Sequence, residues 1–596
     1  MGNSDRLSGG RTRLPAKLSI RKARGAVDRE RLFERLDAAS PAALIWIQGP
    51  AGAGKSTLAA GWVSRRNLPV LWYQVDADDA DPATIFSYLA QGASAISRKR
   101  RLVLPALTPE FRLDLPGFAR RFFRGFFATL PARVVLVFDA AEESRTEALT
   151  AVLVAAMSEM SSEARLLATS RDAVPTPLAH LQAAGTLMVI DGEALRLNAS
   201  EARSLASELP DASLQRLLEA TRGWVAGFVL VAAHARRGLI DLPGPTVEQL
   251  FPFYLREIYA IADPALRTLL VHTSAMPSFT AAQASRLAAT EAEPLLVELV
   301  RRHFFIDSSD QVPRVYRYHP LFRQFLRQQA REQLGEDGCR ALLLRSAEVL
   351  LAAGEDESAL ALHIEAGARE TVAALTCRLA PSLLRQGRIA TLGQAIAALP
   401  AGTSAWEHGV SFWRGMAALA VAPQRARSDF EAAYAGFAER GDVVGQLQAC
   451  AATLDALLYG WGDMRDVDAW AERLVDLLAL CGDNLPAEAE VRVLSSFAVL
   501  IFRGHRHAAR IDTACERAHR LLARVEDPSL RLSLAAFLVL IMYLRGQWRS
   551  GLRFVELTEP LLPPPSLQPQ PAVFWRAMHA RLLVWDGQAE AAFAAT

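Results

Sequence analysis

The sequence predicts a multidomain protein that begins with an α/β domain and continues as α-helix. Three observations indicate this fold class. Over the first 200 residues, short apolar runs alternate with helical stretches, the pattern of a parallel sheet covered by helices. Helical periodicity then takes over, with one strand-like interruption before residue 320, and the remaining helical part repeats near every 42 residues. A chain of 596 residues is also too long for a single hydrophobic core.

Five buried strands are predicted in the α/β domain. Each has four to six residues, is rich in Val, Ile, Leu or aromatic residues, and lacks the polar alternation of a half-buried strand. The predicted strands are Ala43–Ile47, Val70–Val75, Val134–Phe138, Arg165–Thr169 and Leu187–Ile190. Such strands belong to a sheet that helices cover on both faces.

A glycine-rich motif after the first strand indicates nucleotide binding. Residues 49–56 read GPAGAGKS, which fits GxxxxGK[ST] between a strand and a helix. Its glycines let backbone N–H groups face phosphates, Lys55 is expected to reach the β- and γ-phosphates, and the Ser56 hydroxyl is expected to bind Mg2+. The alternative is an ordinary glycine-rich turn. The predicted cofactors are ATP or ADP with Mg2+, and the predicted ligands are Gly49, Gly52, Gly54, Lys55, Ser56 and Thr57.

A carboxylate at the end of a later strand is the second sign of this chemistry. The strand before Asp139 is apolar, and an acid there holds Mg2+ through its water shell, although a strand-capping Asp has the same pattern. Glu142 or Glu143 then either polarises the attacking water or lies in a solvated loop. Asp139 and Glu142 are therefore the catalytic candidates, and Ser56 and Asp139 the metal candidates.

Arg171 follows another predicted strand, directly after Ser170. An arginine at that sheet edge contacts the γ-phosphate of a bound nucleotide, or else forms a surface salt bridge. The spacing alone favours neither interpretation.

Charge and hydropathy exclude three other classes of protein. The net charge of +2 sums 66 basic and 64 acidic side chains, which excludes a globally basic nucleic-acid binder. The N-terminus has no apolar segment of the kind a signal peptide requires. The longest nearly unbroken apolar run, Leu532–Leu544, is short of the roughly 20 residues that span a bilayer. We expect a cytoplasmic protein without membrane contact.

The second half of the chain predicts helical repeats. From residue 200 to about 330 the pattern is helical except at Phe304–Tyr318, where residues 305–306 and 315–316 form a predicted hairpin, typical of a winged helix. Beyond Leu334 the pattern is amphipathic helix throughout. Helix-ending glycines recur there at intervals of 42, 42 and 41 residues, namely Gly462, Gly504, Gly546 and Gly587. Helix pairs at this period stack into a TPR-like solenoid with a concave binding face, an irregular bundle being the alternative.

Several further segments resemble the STAND class of signal-transduction ATPases, in the branch of MalT and its LuxR-type relatives. Leu14–Leu18 with Val27–Glu30 resembles the segment that closes over the adenine in that family, and residues 222–227, RGWVAG, resemble its GWxAG helix start. Residues 316–322, YRYHPLF, resemble its RYHxLF winged-helix segment, whose histidine senses the β-phosphate of ADP. The resemblance implies nucleotide contacts by Arg29 and His319.

The resemblance also implies the domain order. The expected domains, in chain order, are an N-terminal segment closing over the nucleotide (1–30), a P-loop NTPase domain of the ASCE type (31–195), a helical subdomain (196–245), a winged-helix domain (246–332) and a TPR-like solenoid (333–596). The solenoid is expected to be truncated, because the chain stops directly after a repeat glycine and half a helix. The family usually carries a DNA-binding domain, and no basic helix-turn-helix pattern precedes Thr596.

The function implied by the resemblance is an ATP/ADP-gated switch of a transcriptional regulator. An inducer on the helical repeats favours the ATP form, which opens and self-associates, and DNA is bound only through a C-terminal domain. The family commonly has a second Asp after the strand carboxylate, where this chain has Ala140, so at most slow ATP hydrolysis is expected. Two alternatives are a P-loop kinase or nucleotide hydrolase acting on a small molecule, and a scaffold that nucleotide merely stabilises.

Overall fold

A computed structural model describes the chain as two compact units. The first unit comprises residues up to 104 together with 114–367, and the second comprises 105–113 with 368–596. The described residues are 15–20, 27–40, 43–96, 104–144, 147–235, 259, 263–301, 306–309, 312–399, 406–460, 464–481, 485–500, 508–561 and 570–595. Within these ranges, no helix is both long and apolar enough to cross a membrane.

The first unit contains the predicted parallel sheet. Its five strands are β1 (Leu44–Gln48), β2 (Val70–Gln74), β3 (Val135–Asp139), β4 (Arg165–Ser170) and β5 (Leu187–Ile190). They lie in the order β2-β3-β4-β1-β5, and every neighbouring pair is parallel. Each predicted strand is present, with its ends within one residue of the prediction. Because β4 separates the P-loop strand β1 from β3, the ASCE-type sheet is confirmed.

Helices pack around this sheet. They are α1 (Glu30–Asp37), α2 (Lys55–Arg65), α3 (Pro82–Ile96), α4 (Leu115–Phe127), α5 (Glu147–Glu159) and α6 (Ala179–Ala183). In α4, four phenylalanines are fully buried, and three of them, Phe118, Phe122 and Phe123, pack against Phe86 of α3. Burying one such ring stabilises the fold by roughly 1.5–3 kcal/mol. Periodic aromatic residues therefore fix α4 in the domain.

A helical region and a small antiparallel sheet complete the first unit. Their elements are α7 (Ala199–Leu205), α8 (Asp211–Thr221), α9 (Val225–Ala235), α10 (Pro264–Thr273), β6 (Phe279–Thr280), α11 (Ala281–Ala288), α12 (Ala292–Arg301), β7 (Ile306–Ser308), β8 (Val315–Tyr318), α13 (Pro320–Ala352) and α14 (Asp356–Glu365). The strand order is β6-β8-β7, with β7 and β8 antiparallel. The predicted hairpin is therefore present, although Phe305 lies outside the described residues. Gly335, at φ +66° and ψ −175°, interrupts α13.

The second unit consists of successive helices. They are α15 (Arg369–Arg385), α16 (Ile389–Ala397), α17 (Glu407–Ala418), α18 (Pro423–Glu439), α19 (Val443–Gly460), α20 (Val467–Cys481), α21 (Ala487–Ser496), α22 (Ala508–Arg524), α23 (Pro528–Leu544), α24 (Trp548–Thr558), α25 (Gln570–Trp585) and α26 (Ala589–Ala594). Gly546 and Gly587 follow α23 and α25 in the left-handed conformation that ends a helix. Gly462 and Gly504 lie outside the described residues. The solenoid-like prediction is confirmed.

Candidate nucleotide-binding site

The P-loop connects β1 to α2 at the end of the parallel sheet. Gly52 and Gly54 have φ values of +75° and +86°, the left-handed conformation that favours glycine. Gly54 is the N-cap of α2, so the free N–H groups of the first helical turn lie at the loop. The Gly49 N–H donates to the carbonyl oxygen of Ser170 at 3.1 Å, which ties the loop to β4. This arrangement places a helix N-terminus where phosphates are expected.

Lys55 is folded back onto its own loop. Its Nζ donates to the carbonyl oxygens of Gly49 at 2.7 Å and Pro50 at 3.0 Å. Burial lowers the pKa of Lys55 below its ordinary value; Glu142 and Asp139 oppose this effect, and Arg171 adds to it. These four charged side chains therefore belong to one electrostatic site. Phosphate oxygens are stronger acceptors for an ammonium group than the two carbonyls.

Ser56 and Asp139 lie together, as the predicted metal site requires. Ser56 Oγ donates to Asp139 Oδ1 at 2.5 Å, and Thr169 Oγ1 donates to the same oxygen at 2.6 Å. Asp139 is fully buried at the end of β3. One hydroxyl and one carboxylate are hard oxygen ligands, and Mg2+ usually takes one or two such ligands and completes its shell with waters and phosphates. The donor set therefore fits the cation. Thr169 was not among the predicted ligands, although it lies directly before the Ser-Arg pair.

The loop after Asp139 takes an unusual turn. Ala140 has a φ of +63°, rare for a residue other than glycine, and its N–H donates to Thr169 Oγ1 at 3.0 Å. A 3-10 helix, Ala141–Ser144, follows. Within it, the Glu142 side chain is 10% exposed, and Arg171 Nε lies 3.1 Å from its Oε1.

Glu143, in the same short helix, is in a different environment. Its side chain is 40% exposed, and its Oε1 is 3.7 Å from Arg171 Nη2. Glu142 is thus the more buried of the two acids, and the catalytic role predicted for it stays a prediction. Arg171 forms an ion pair with both acids, and the predicted contact of Arg171 with γ-phosphate stays a prediction.

The start of α9 contacts the P-loop directly. Trp224 Nε1 donates to the carbonyl oxygen of Ala51, and the Ala226 N–H donates to that of Gly52, each at 3.0 Å. A Cβ added at Gly52 would lie 2.5 Å from the Cβ of Ala226. The resemblance at residues 222–227 implied a helix start here but not its contact with the P-loop. The loop is therefore fixed by a helix outside the sheet domain.

Arg29 is buried and forms an ion pair. Its Nη2 donates to Glu201 Oε2 at 3.0 Å and to the carbonyl oxygen of Arg196 at 2.9 Å. Its Nε and Nη1 are buried and have no hydrogen-bond partner among the residues that the structure describes. The predicted nucleotide contact of Arg29 stays a prediction, for which these two nitrogens are the available donors. Glu201 was not foreseen, because it is 172 residues away along the chain.

The N-terminal segment lies between the sheet domain and the winged-helix region. Lys17 forms ion pairs with Asp76 at 2.6 Å and Asp79 at 2.8 Å. The carbonyl oxygen of Ala16 accepts a hydrogen bond from Arg317 of β8 at 3.2 Å. Burial is the main reason that the pKa of Asp79 rises to about 6. This segment therefore links the two parts of the first unit, and its closure over adenine stays a prediction.

Two further predicted ligands lie at helix starts. His319 is the N-cap of α13 and directly precedes Pro320, and its carbonyl oxygen accepts a hydrogen bond from the Arg323 N–H at 2.9 Å. Thr57 lies in the first turn of α2. The proposed nucleotide contacts of both residues stay predictions.

Two family models and two curated proteins illustrate what this chain is similar to. The MalT winged helix domain matches residues 255–337, and the N-terminal region of nephrocystin 3 matches residues 27–171. The HTH-type transcriptional regulator MalT of Yersinia pestis is 26% identical over 414 residues, which cover 65% of this chain and 44% of that protein. The serine/threonine-protein kinase PknK of Mycobacterium tuberculosis is 28% identical over 318 residues, which cover 50% of this chain and 28% of that protein.

A solved structure extends the similarity to the whole fold. The crystal structure of a Signal Transduction ATPase with Numerous Domains (STAND) protein with a tetratricopeptide repeat sensor, from Pyrococcus horikoshii, aligns with 98% of this chain and 85% of that chain. Its TM-score is 0.65 and its identity 14%, so it supports the fold. This chain spans less than half the length of the two curated relatives. These matches confirm the resemblance to MalT-like STAND regulators.

Proposed function

We propose that this MalT-like protein is a nucleotide-dependent switch that binds ATP or ADP with Mg2+ at the P-loop. ADP holds a resting form, and an inducer bound by the helical repeats favours an ATP form that opens and self-associates. Transcription control then acts through a DNA-binding domain outside this chain. The single observation that carries the proposal is the P-loop itself, with Lys55 at its centre and Ser56 hydrogen-bonded to Asp139.

The charges at the site favour a nucleotide with a bound cation. Ser56 and Asp139 would hold Mg2+, which neutralises phosphate charge when it is bound. Lys55 now donates to loop carbonyls, so phosphate oxygens would replace neutral acceptors with charged ones. The backbone N–H groups at the start of α2 add a partial positive charge.

Ala140 favours a switch over a fast enzyme. The side chain directly after Asp139 carries no carboxylate, and the next acid along the chain, Glu142, is already paired with Arg171. A switch requires only that its two ligands differ in affinity for two conformations by a few kcal/mol, so slow hydrolysis is sufficient to reset it. ATP is then bound mainly as a signal.

Contacts around the P-loop provide a route from nucleotide to conformation. The loop hydrogen-bonds to Trp224 and Ala226 at the start of α9, so a change in its backbone alters the packing of that helix. Arg29 similarly joins the start of α1 to Glu201 in α7. Both links connect the sheet domain to the helical region. We place the inducer on the repeats, because stacked helix pairs present extended binding surfaces.

Equilibrium binding of fluorescent ATP to the purified chain tests the first step. Lys55→Ala should weaken binding at least tenfold, because a charge-assisted hydrogen bond contributes about 1.5–3 kcal/mol. Arg65→Ala, at the exposed far end of α2, is the matched control and should bind as the wild type does. Unchanged affinity in Lys55→Ala would refute nucleotide binding at this loop.

Retention of ADP tests whether His319 holds the resting, ADP-bound form. His319→Ala should release ADP faster and raise the self-associated fraction without inducer, measured by light scattering after size-exclusion chromatography. His180→Ala removes an exposed histidine from α6 and should change neither quantity. A His319→Ala variant that keeps its ADP and stays monomeric contradicts the proposed role.

A further inference from the structure

We propose that Arg171 and Glu142 form a lock, in which Arg171 holds the water-activating carboxylate of Glu142 until a γ-phosphate draws the guanidinium away. The lock rests on the proposed nucleotide binding at the P-loop. Where the family commonly has a second Asp, this chain has Ala140. The proposal assigns the role of that acid to Glu142 and not to Glu143. It also makes Arg171 the residue that positions Glu142.

The backbone after β3 directs Glu142 inward. The left-handed conformation of Ala140 turns the chain directly after Asp139, and the Thr169 hydroxyl holds that turn by accepting from the Ala140 N–H at 3.0 Å. The 3-10 helix that follows carries Glu142, whose Oε1 lies 3.1 Å from Arg171 Nε and whose charge favours the protonated form of Lys55. A carboxylate three residues after Asp139 thus reaches the nucleotide site.

The two acids of this short helix differ in burial, and one of them has a carboxylate oxygen that lacks a hydrogen bond. The Glu142 side chain is 10% exposed and that of Glu143 is 40% exposed. Glu142 Oε2 is buried and accepts no hydrogen bond from any residue within the described ranges. A buried carboxylate oxygen without a donor is costly, so a site that retains one reserves it for a ligand. For Glu142 that ligand is the attacking water.

Arg171 has the geometry of an exchangeable partner. Its Nε is 3.1 Å from Glu142 Oε1, and its side chain is 42% exposed, so the pair is weak and partly solvated. It follows β4, the strand adjacent to the P-loop strand. A γ-phosphate offers three oxygens to a planar guanidinium and is a stronger acceptor than one carboxylate oxygen. ATP therefore competes for Arg171, whereas ADP lacks the competing group.

Release of Glu142 has a defined chemical consequence. The freed carboxylate accepts a proton from water while the water oxygen bonds to the γ-phosphorus. The bond between that phosphorus and the β,γ-bridging oxygen breaks, and its electron pair leaves with ADP. Hydrolysis thus begins only after Arg171 has detected the γ-phosphate, which couples resetting of the switch to prior detection of ATP.

Separate measurements of binding and hydrolysis on the full chain test the lock. Glu142→Gln should slow single-turnover hydrolysis by about 100-fold or more, the usual contribution of a general base. The same variant should bind ATP about two- to fivefold more tightly, because the partly exposed ion pair with Glu142 no longer competes with the γ-phosphate for Arg171. Its affinity for ADP should equal that of the wild type. Glu143→Gln is the matched control and should change both quantities less than twofold.

A double variant separates positioning from a structural effect. With Arg171→Met in the background, Glu142→Gln should no longer tighten ATP binding, because no guanidinium remains to be released. Arg171→Met alone should weaken ATP binding and leave ADP binding unchanged. The lock is refuted if Glu142→Gln and the wild type have equal affinity for ATP, or if Glu143→Gln loses as much hydrolysis as Glu142→Gln does. Neither result would contradict the proposed nucleotide switch. A wild-type chain that binds neither nucleotide would overturn both.

Discussion

Substitution of Glu201 by Gln should destabilise the first unit, because Glu201 anchors the start of α1. Its carboxylate accepts from Arg29 Nη2 at 3.0 Å and from Arg31 Nε at 2.9 Å and Nη2 at 3.2 Å. The Asn198 N–H also donates to it, as part of the capping box of α7. Glu201→Gln removes the charge and leaves one oxygen acceptor in nearly the same shape.

The size of the effect follows from burial. Arg29 is 7% exposed and Glu201 is 5% exposed, so the substitution leaves a buried guanidinium without its counter-charge. Breaking such a pair costs about 3–5 kcal/mol. The lower end applies, because the glutamine oxygen still accepts one N–H group. For a unit of this size, about 2 °C of Tm is lost per kcal/mol, which gives a decrease of about 6 °C.

Thermal unfolding monitored by circular dichroism measures this change, with Glu193→Gln as the matched control. Glu193 also pairs with an arginine, Arg196 at 2.7 Å, but its side chain is 75% exposed. An exposed pair contributes about 1 kcal/mol or less, so the control should lose no more than about 2 °C. Equal decreases in the two variants would refute the reasoning from burial.

The pH dependence gives an independent check on the same residue. Burial by itself raises the pKa of Glu201, but hydrogen bonds from Arg29 and Arg31 outweigh it and hold the pKa below the ordinary value. The folded chain therefore binds fewer protons there than the unfolded chain. Its stabilisation is present above the unfolded pKa of about 4.3 and is lost as the pH falls below it. Glu201→Gln should abolish this part of the loss of folding stability at acidic pH.

Further predictions concern the contact between the P-loop and α9. Gly52→Ala should weaken ATP binding at least tenfold, because the new Cβ would lie 2.5 Å from that of Ala226. Gly185→Ala, at φ +70° in open space, controls for left-handed strain and should leave fluorescent-ATP binding unchanged. Trp224→Phe removes the hydrogen bond to the Ala51 carbonyl, worth about 0.5–1.5 kcal/mol, and should weaken ATP binding about two- to tenfold in a titration. Unaltered affinity would show that this bond does not hold the loop.

The elements with the strongest local pattern were predictable from the sequence. The five sheet strands lie within one residue of their predicted ends, since unbroken apolar runs between turn residues specify buried parallel strands. The hairpin at β7 and β8 and the helix ends at Gly546 and Gly587 also follow from local composition. The P-loop was recognisable because one short motif contains its strand end, its glycines and its helix start.

The surroundings of the site were not predictable in the same way. The P-loop motif identified Ser56 and the strand-end pattern identified Asp139, but neither indicated Thr169, which donates to the same carboxylate oxygen. The family resemblance implied a role for Arg29 but not its partner Glu201, because nothing in the chain near either residue specifies the other. The different burial of Glu142 and Glu143 depended on which side of a short helix faces the protein interior.

The sequence by itself determined the order of elements and the phosphate-binding loop, because periodicity and glycine conformation act over a few neighbouring residues. Only the tertiary structure decided what touches that loop. Trp224 and Ala51 are separated by 173 residues, and Arg29 and Glu201 by 172. Such pairs meet because helices pack at particular angles and depths, which depend on the fit of the whole core.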